Sequence, residues 1–504
     1  MKVKMVLTLI LAGIIYPQQQ IDIPWPTLAK SPWPMIAHDP QITGRSPYSG
    51  PKTPTIKWAI DLPKGVWSGP IIGEDGTLYV GSGAYGDTTN YFYAINPDGE
   101  IKWKFSTGNP GLIESGYLIN NEGTIFFGSQ SGWLYALDTS GNLKWKYDTG
   151  GNIFQRVMNT DLQGNIYIAN STNYLYSFSK DGELNWKVNY GGGLGARSVV
   201  FSPDGNTMYT TGKDSNLYAL NLDGSIKWIY QCAVGLRLPL LVDNSGNIYF
   251  LPGCKRPWAL VSLDSTSQIR WEYVINNSNA YFTDTSPAMD YLGNIYYTYE
   301  VHTSSTWDSR IESVDYYGNY RWTYQFEHPR EDVDPLVVDK DGTVYCGSNW
   351  GYNYYALSKN GELLWQIPLE GRDIEYSTTI DSDGTLYIGL TKRQNQTTLI
   401  AIKDTGTVSI KETLFEIMDY ELLQNHPNPF NPTTTIKYRL KEGGVVTLKL
   451  YDVLGKEIKT LVNEEKNKGR YTYNFDGSDL PSGVYIYQLR VNDFMASKKL
   501  MLIK

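Results

Sequence analysis

Ala136-Leu137-Asp138-Thr139-Ser140-Gly141-Asn142-Leu143-Lys144-Trp145 carries three signals in one short stretch. A small residue ends an alternating apolar run, Asp-x-x-Gly supplies a tight turn, and Trp marks the strand that returns. The Trp recurs at Trp58, Trp103, Trp145, Trp186, Trp228, Trp271, Trp322 and Trp365, with successive spacings of 45, 42, 41, 42, 43, 51 and 43 residues. That is the period of a four-stranded propeller blade. A second element keeps the same period. Gly76-Thr77-Leu78-Tyr79, a turn glycine leading into an alternating strand, has counterparts at 123–126, 164–167, 206–209, 246–249, 293–296, 342–345 and 384–387. Nine residues before each Trp stands Ala94, Ala136, Ser177, Ala219, Ser262, Ser313 or Ala356, small enough for a neighbouring indole to pack flat.

Ala401 holds that place in the last repeat, yet Ile410 stands where its Trp belongs, while Trp58 has no repeat before it. The two gaps fill each other if the strand Ile56–Ile60 completes the last blade and removes the free edge of an open array. The expected fold is therefore all-β: an eight-bladed β-propeller over residues 55–402, followed by a small immunoglobulin-like β-sandwich. Composition agrees. A chain of 504 residues exceeds one ordinary core, and 40 Tyr, 15 Trp and 48 Gly favour strands joined by tight turns.

The tryptophan repeat resembles that of the pyrroloquinoline-quinone (PQQ)-like propellers. The lead-in Trp33-Pro-Met-Ile-Ala-His38-Asp39-Pro-Gln-Ile-Thr-Gly44-Arg45-Ser46 resembles the segment before the first blade of bacterial members. The resemblance runs from about residue 33 to 402 and implies a fold more than a function, since that fold carries dehydrogenases, assembly-factor scaffolds and other exported proteins.

Three prolines in Pro427-Asn-Pro-Phe-Asn-Pro432 mark a boundary, after which short alternating runs with turn signals continue to the end. Gln424-Asn-His-Pro-Asn-Pro-Phe-Asn-Pro432, Tyr451-Asp-Val-Leu-Gly455, Ser482-Gly-Val-Tyr-Ile-Tyr487 and the basic-apolar Lys498–Lys504 resemble, in order, the type A sorting domain of the type IX secretion system. The resemblance implies that the secretion machinery is a partner and that the chain passes through the periplasm to the cell surface or beyond. Lys2 and Lys4 ahead of the apolar run 5–15 read as a signal peptide within residues 1–20. A lead-in at 21–54, a linker at 403–421 and the sorting domain at 422–504 complete the expected layout. No later run is long and apolar enough for a membrane helix.

A net charge of −8 without Lys/Arg runs argues against nucleic acid. No two cysteines are adjacent, and Cys232 and Cys254 either pair in an oxidising compartment or remain buried thiols. His38, His302, His328 and His426 show no ligand spacing. Asp339-x-Asp341-Gly and Asp381-x-Asp383-Gly lack the further ligands of a calcium loop and read as turns. Neither PQQ nor calcium is expected as a cofactor, and no catalytic residue is singled out. The expected function is a non-catalytic binding or scaffold module; the competing one is a quinoprotein-like oxidoreductase with a degenerate site.

Strand direction locates the expected ligand. The short Asp-Gly turns share one end of the blades; the loops at 83–90, 301–310 and 392–396, with Trp258, Trp307 and Trp350 nearby, share the other. At the mouth of the innermost strands Glu114, Arg156, Arg197, Arg237, Asp284, Asp334 and Glu375 sort by sign, and Trp67 offers a stacking face. This is either a solvated channel rim or a site for a polar ligand, a glycan or a protein.

Overall fold

The computed structural model describes residues 18–503 except 84–89, 109–110, 114–115, 154–157, 190–198, 213, 215, 232–239, 253–257, 276, 283–285, 303–306, 328–332, 349–352, 370–373, 375–377, 392–397, 405–419, 426 and 468, and except the side chains at 334, 335, 421 and 470. Every regular element among these residues is a strand. The chain divides into two compact units, Met1–Val408 and Ser409–Lys504.

In the first unit the described strands form eight antiparallel sheets, each built in chain order except the last. Sheet 2 is representative: Tyr117–Ile119, Ile125–Gly128, Trp133–Leu137 and Leu143–Asp148. Its first three strands are buried almost throughout, and its fourth alternates exposed with half-buried residues, as a strand facing water on one side must. Sheets 1 and 6 have a first strand broken in two, at Gly65–Val66 with Ile71–Ile72 and at Ala280–Phe282 with Ala288–Met289. Sheet 8 takes Thr378–Ile380, Leu386–Gly389 and Leu399–Asp404 from the end of the unit and Pro54–Ile60 from its beginning. The strand expected at Ile56–Ile60 is this one, with Trp58 opposite Ala401.

One side-chain device repeats through all eight sheets. Each Trp lies on the fourth strand opposite the small residue of the third, as in Trp145 opposite Ala136 and Trp186 opposite Ser177. A register irregularity falls beside each of these pairs, leaving the residue before the Trp out of the ladder. The indole lies against a Tyr or Phe of its own second strand at 5.7–5.9 Å between centroids. Its Nε1 donates at 2.8–3.1 Å to a backbone carbonyl of the next sheet's last turn: Trp58 to Pro97, Trp103 to Thr139, Trp145 to Lys180, and so on to Trp322 to Lys359. Sheet 8 has no such turn, since its fourth strand arrives from the start of the unit. There Trp365 donates to the Pro51 carbonyl instead, at 2.9 Å.

The turn between first and second strands has its own device. In five sheets it opens with Asp161, Asp243, Asp290, Asp339 or Asp381, whose carboxylate accepts the hydroxyl of the Tyr six residues later. Asp243 also accepts the backbone N–H groups of Ser245 and Asn247, both at 2.8 Å. The Asp-x-Asp-Gly segments at 339 and 381 are two of these turns.

The second unit contains a sheet of Glu421–Leu422, Thr433–Leu440 and Gly469–Asp476 and a sheet of Glu457–Lys466, Gly444–Tyr451, Gly483–Val491 and Phe494–Leu502. Both contribute to one buried cluster, with Ile436, Tyr438 and Phe475 from the first and Leu448, Tyr487, Leu489 and Leu500 from the second.

Candidate functional site

The two ends of the sheets differ, and the lead-in makes the difference. Its carbonyls accept from the backbone N–H of the last residue in the first strand of six sheets. Ile72 donates to Trp33 and Ile119 to Pro34, both at 2.8 Å; Phe201 to Pro40 and Val242 to Gln41, both at 3.0 Å; Met289 to Thr43 at 2.9 Å and Val338 to Gly44 at 2.8 Å. Asn159 of sheet 3 reaches the Pro40 carbonyl with its side-chain amide at 3.0 Å. Groups that would be left unpaired at the strand ends are thereby satisfied by one continuous segment.

Aiming consecutive carbonyls at different sheets strains the segment. Ala37, His38 and Ile42 hold φ of 62°, 78° and 59°, a region costly for residues with a Cβ. Buried polar groups fix the bends. Asp39 Oδ1 accepts the Thr43 N–H at 3.0 Å, and its other oxygen accepts the Thr43 hydroxyl. Burial pushes the Asp39 carboxyl up, but hydrogen bonding and charge from His38, the charge of Arg45 and the Thr43 hydroxyl outweigh it and hold the group below the ordinary carboxylate range. The buried Arg45 guanidinium donates to the Ile21 carbonyl at 2.9 Å and lies 4.4 Å above the Tyr291 ring, clasping the irregular lead-in at 21–22 to the turn of sheet 6. Sequence reasoning recognised this segment by resemblance but missed its role, because backbone carbonyls do the joining and no side-chain period announces them.

Of the residues expected at the other end, Glu114, Arg156, Arg197, Arg237, Asp284, Glu375 and Trp350 lie outside the described residues, as do Cys232, Cys254 and residues 1–17 of the expected signal peptide; its last residue, Gln20, is buried and donates its N–H to the Tyr291 carbonyl at 2.8 Å. Asp334 is in the strand Val333–Val338, paired with Gly347. Trp67 sits at the break in the first strand of sheet 1, half-buried, its Nε1 donating to the Gly83 carbonyl at 2.9 Å. Sheet 6 extends furthest: Ile295–His302 and Trp307–Val314 pair over eight positions, ending with His302 opposite Trp307. There Tyr281, His302 and Trp307 stack in sequence, at 4.1 Å and 21° and then 4.5 Å and 10°. His302 Nε2 meets Glu300 Oε2 at 2.6 Å, and Trp258 adjoins Tyr281 at 6.1 Å. The structure thus joins Trp258 and Trp307, expected only at the same end of the blades, through Tyr281 and His302, neither of which sequence reasoning selected for a site. Among the described residues no three of His, Cys, Asp and Glu converge as a metal would require.

Antiparallel four-stranded sheets locked by a tryptophan in each define a propeller-type repeat protein. Comparison with known families agrees. Residues 50–162 match the outer membrane protein assembly factor BamB, and residues 425–504 match the secretion system C-terminal sorting domain. The chain therefore carries PQQ-like, tryptophan-docking repeats and a type IX sorting domain, which marks it for export to the cell surface or the medium. BamB from Moraxella catarrhalis is similar in structure at a TM-score of 0.53 and 13% identity, over 69% of this chain and 99% of that one. The Dos1 propeller is similar at 0.51 and 11%, over 70% and 96%. PorZ, a surface component of the type IX secretion system of Porphyromonas gingivalis, aligns at 0.40 and 14%, over 86% and 74%. By sequence, no curated protein matches the chain. No helix among the described residues is long and apolar enough to cross a membrane.

Proposed function

We propose that the chain is an exported, non-catalytic binding protein. An eight-bladed propeller over about residues 55–402 takes a polar ligand, a glycan or a protein surface, and an immunoglobulin-like sorting domain over 422–504 delivers it to the cell surface. The observation that carries the reading is the lead-in. Six first strands end on the carbonyls of Trp33 to Gly44, so a channel lined by those strands is closed at the short-turn end. A ligand then enters where the first strands begin, the end to which strand direction in the sequence assigns Trp67, Glu114, Arg156, Arg197, Arg237, Asp284, Asp334 and Glu375. Basic and acidic residues sorted by sign along the sequence, as these are, suit a ligand with both donors and acceptors. The stacked Tyr281, His302 and Trp307 at the same end add an aromatic surface on the longest described hairpin of the first unit. The test is a glycan array and a surface-protein pull-down with the full chain, followed by single Arg156→Ala, Arg197→Ala and Arg237→Ala variants. At least one should weaken capture about tenfold or more, as loss of a charge-assisted hydrogen bond does. Unchanged capture by all three, with unchanged melting, discards the mouth as the site.

A further inference from the structure

Four stretches of the second unit carry the sorting resemblance, and in the chain they are scattered between residues 424 and 504. The strands bring them to one end of one sheet. Tyr451 leads into the turn at 452–456 and stands opposite Ile486, which in turn stands opposite Lys499. Val484, one pair nearer that end, stands opposite Met501. The first stretch is laid along the last: Asn428 Oδ1 accepts the Met501 N–H at 2.8 Å, the Phe430 N–H donates to the Met501 carbonyl at 2.9 Å, and the Ile503 N–H donates to the Phe430 carbonyl at 3.0 Å. Tyr487 ties the third stretch to the first. Its hydroxyl accepts the Asn425 N–H at 2.8 Å and donates to the Leu423 carbonyl at 2.7 Å.

The side chains presented at this meeting point are apolar, yet they stay in water. Tyr485, Leu500 and Leu502 turn into the core, so Val484 and Met501 lie on the opposite face, 38% and 42% exposed. Beside them the turn carries Val453 at 65% and Leu454 at 91% exposure. Turn tips are ordinarily polar. This one is well made, since Asp452 Oδ1 accepts the N–H groups of Leu454 and Lys456, both at 2.9 Å, and it gains nothing in its own fold from the two apolar side chains. One row further along the same face the chemistry changes: Lys449 pairs with Glu457 at 2.8 Å and Gln488 with Ser497 at 3.1 Å. At the far end Val445 and Met495 are exposed as well, but each stands opposite a charged residue, Glu465 and Arg490. Lys499, in the row of Ile486, and Lys456, at the foot of the turn, enter no ion pair among the described residues. A contiguous apolar surface with a charged border is the composition of a contact site.

We propose that this end of the second unit is its docking surface, and that the occupant is a protein of the secretion machinery presenting an apolar recess bordered by carboxylates. Val453 and Leu454 enter the recess, Val484 and Met501 cover its wall, and Lys456 and Lys499 meet the carboxylates. The proposal rests on reading the second unit as a sorting domain. Two observations select the occupant. The stretches that carry the sorting resemblance supply every one of these side chains except Lys456, although nothing in the core of the unit requires them to be apolar. The lysines at the border suit an acidic rim, which orients a partner, while the apolar tip supplies the anchor.

The experiment follows the full chain in the producing cell, measuring its amounts in the periplasm and outside the cell, and the melting of each purified variant. The double variant Val453→Ser/Leu454→Ser should lower the exported fraction about tenfold or more, with the protein held in the periplasm. Lys499→Glu should lower it about threefold, as reversal of a border charge does. Both changes fall on exposed side chains, so melting should not move. The controls Val445→Ser and Met495→Ser, at the far end of the same sheet, should be exported as wild type is. Vesicles of phosphatidylethanolamine and phosphatidylglycerol should not sediment the wild-type chain. Normal export of either test variant, an equal loss in the controls, or a loss that follows a fall in melting overturns the proposal. So does sedimentation of wild type but not of the double variant with vesicles, which would assign the turn to a lipid surface. A chain ending at Val408 keeps the two readings apart. If it is exported normally, the second unit is not a sorting domain; if its export stops while that of the double variant does not, only the docking surface falls.

Discussion

A methyl group placed on Gly182 would lie 2.6 Å from the Trp145 indole, and the residue already holds φ of 92°. Gly150 is as left-handed, at 70°, but has nothing within 4 Å of the same position. The pair separates two reasons for glycine. Gly150→Ala should cost only the left-handed conformation, about 1–2 kcal/mol, whereas Gly182→Ala adds a collision with the docked ring and should cost roughly 3 kcal/mol or more in all. Thermal melting of the two variants checks the order, and equal losses would remove the indole from the explanation. The contact also shows what a sequence can reveal at this scale. Trp145 and Ala136 were legible because they recur. The acceptors of the indole were not: Pro97, Thr139, Lys180, Leu222, Ser265, Tyr316, Lys359 and Pro51 have nothing in common except a backbone carbonyl. The split of the small position into Ala and Ser gains a cause only in three dimensions. Each Ser hydroxyl meets the residue just before the Trp: Asn185 to Ser177 at 3.2 Å, Arg270 to Ser262 at 2.8 Å and Arg321 to Ser313 at 2.6 Å.

Among the elements, the strand Pro54–Ile60 bears the most, because it pairs with Leu399–Asp404 and carries Trp58 onto the Pro97 carbonyl of sheet 1. It links the end of the first unit to its beginning through both a ladder and a docked ring. A chain beginning after Ile60 loses that strand and the lead-in together, leaving Leu399–Asp404 as an exposed edge and six first strands without their acceptors. It should aggregate or melt far below the intact protein; a monomer with unchanged melting in light scattering would refute the closure. This strand was legible from two absences, the missing Trp at Ile410 and the unmatched Trp58. The role of the lead-in was not, since its buried Trp33, Met35 and Ile42 follow neither a strand nor a helix period. Of the candidate mouth, the sequence offered a charge pattern on strand beginnings. The structure adds the lead-in carbonyls at the far ends of six first strands and the Tyr281–His302–Trp307 stack, which requires residues from three strands to meet and so has no local signature.

At the scale of the whole molecule the two units keep separate accounts of their cores. The first unit buries its apolar residues in clusters drawn from the sheets, their connecting loops and the lead-in, and the second in one cluster reaching from Leu422 to Leu502. None of these clusters contains residues of both units, so the cooperative stability of each should depend on its own packing. The sorting match at residues 425–504 lies wholly within the second unit. A chain ending at Val408 retains all eight sheets, the docked tryptophans and the closing strand, and loses only the unit that addresses it to the secretion machinery. It should therefore melt at the temperature of the first unit in the intact chain and accumulate in the periplasm of the producing cell. Fractionation with an antibody to the first unit reads the outcome directly. Normal amounts in the medium would show that export does not depend on the second unit. A large fall in melting temperature, with export lost, would show instead that the second unit is a structural support for the first.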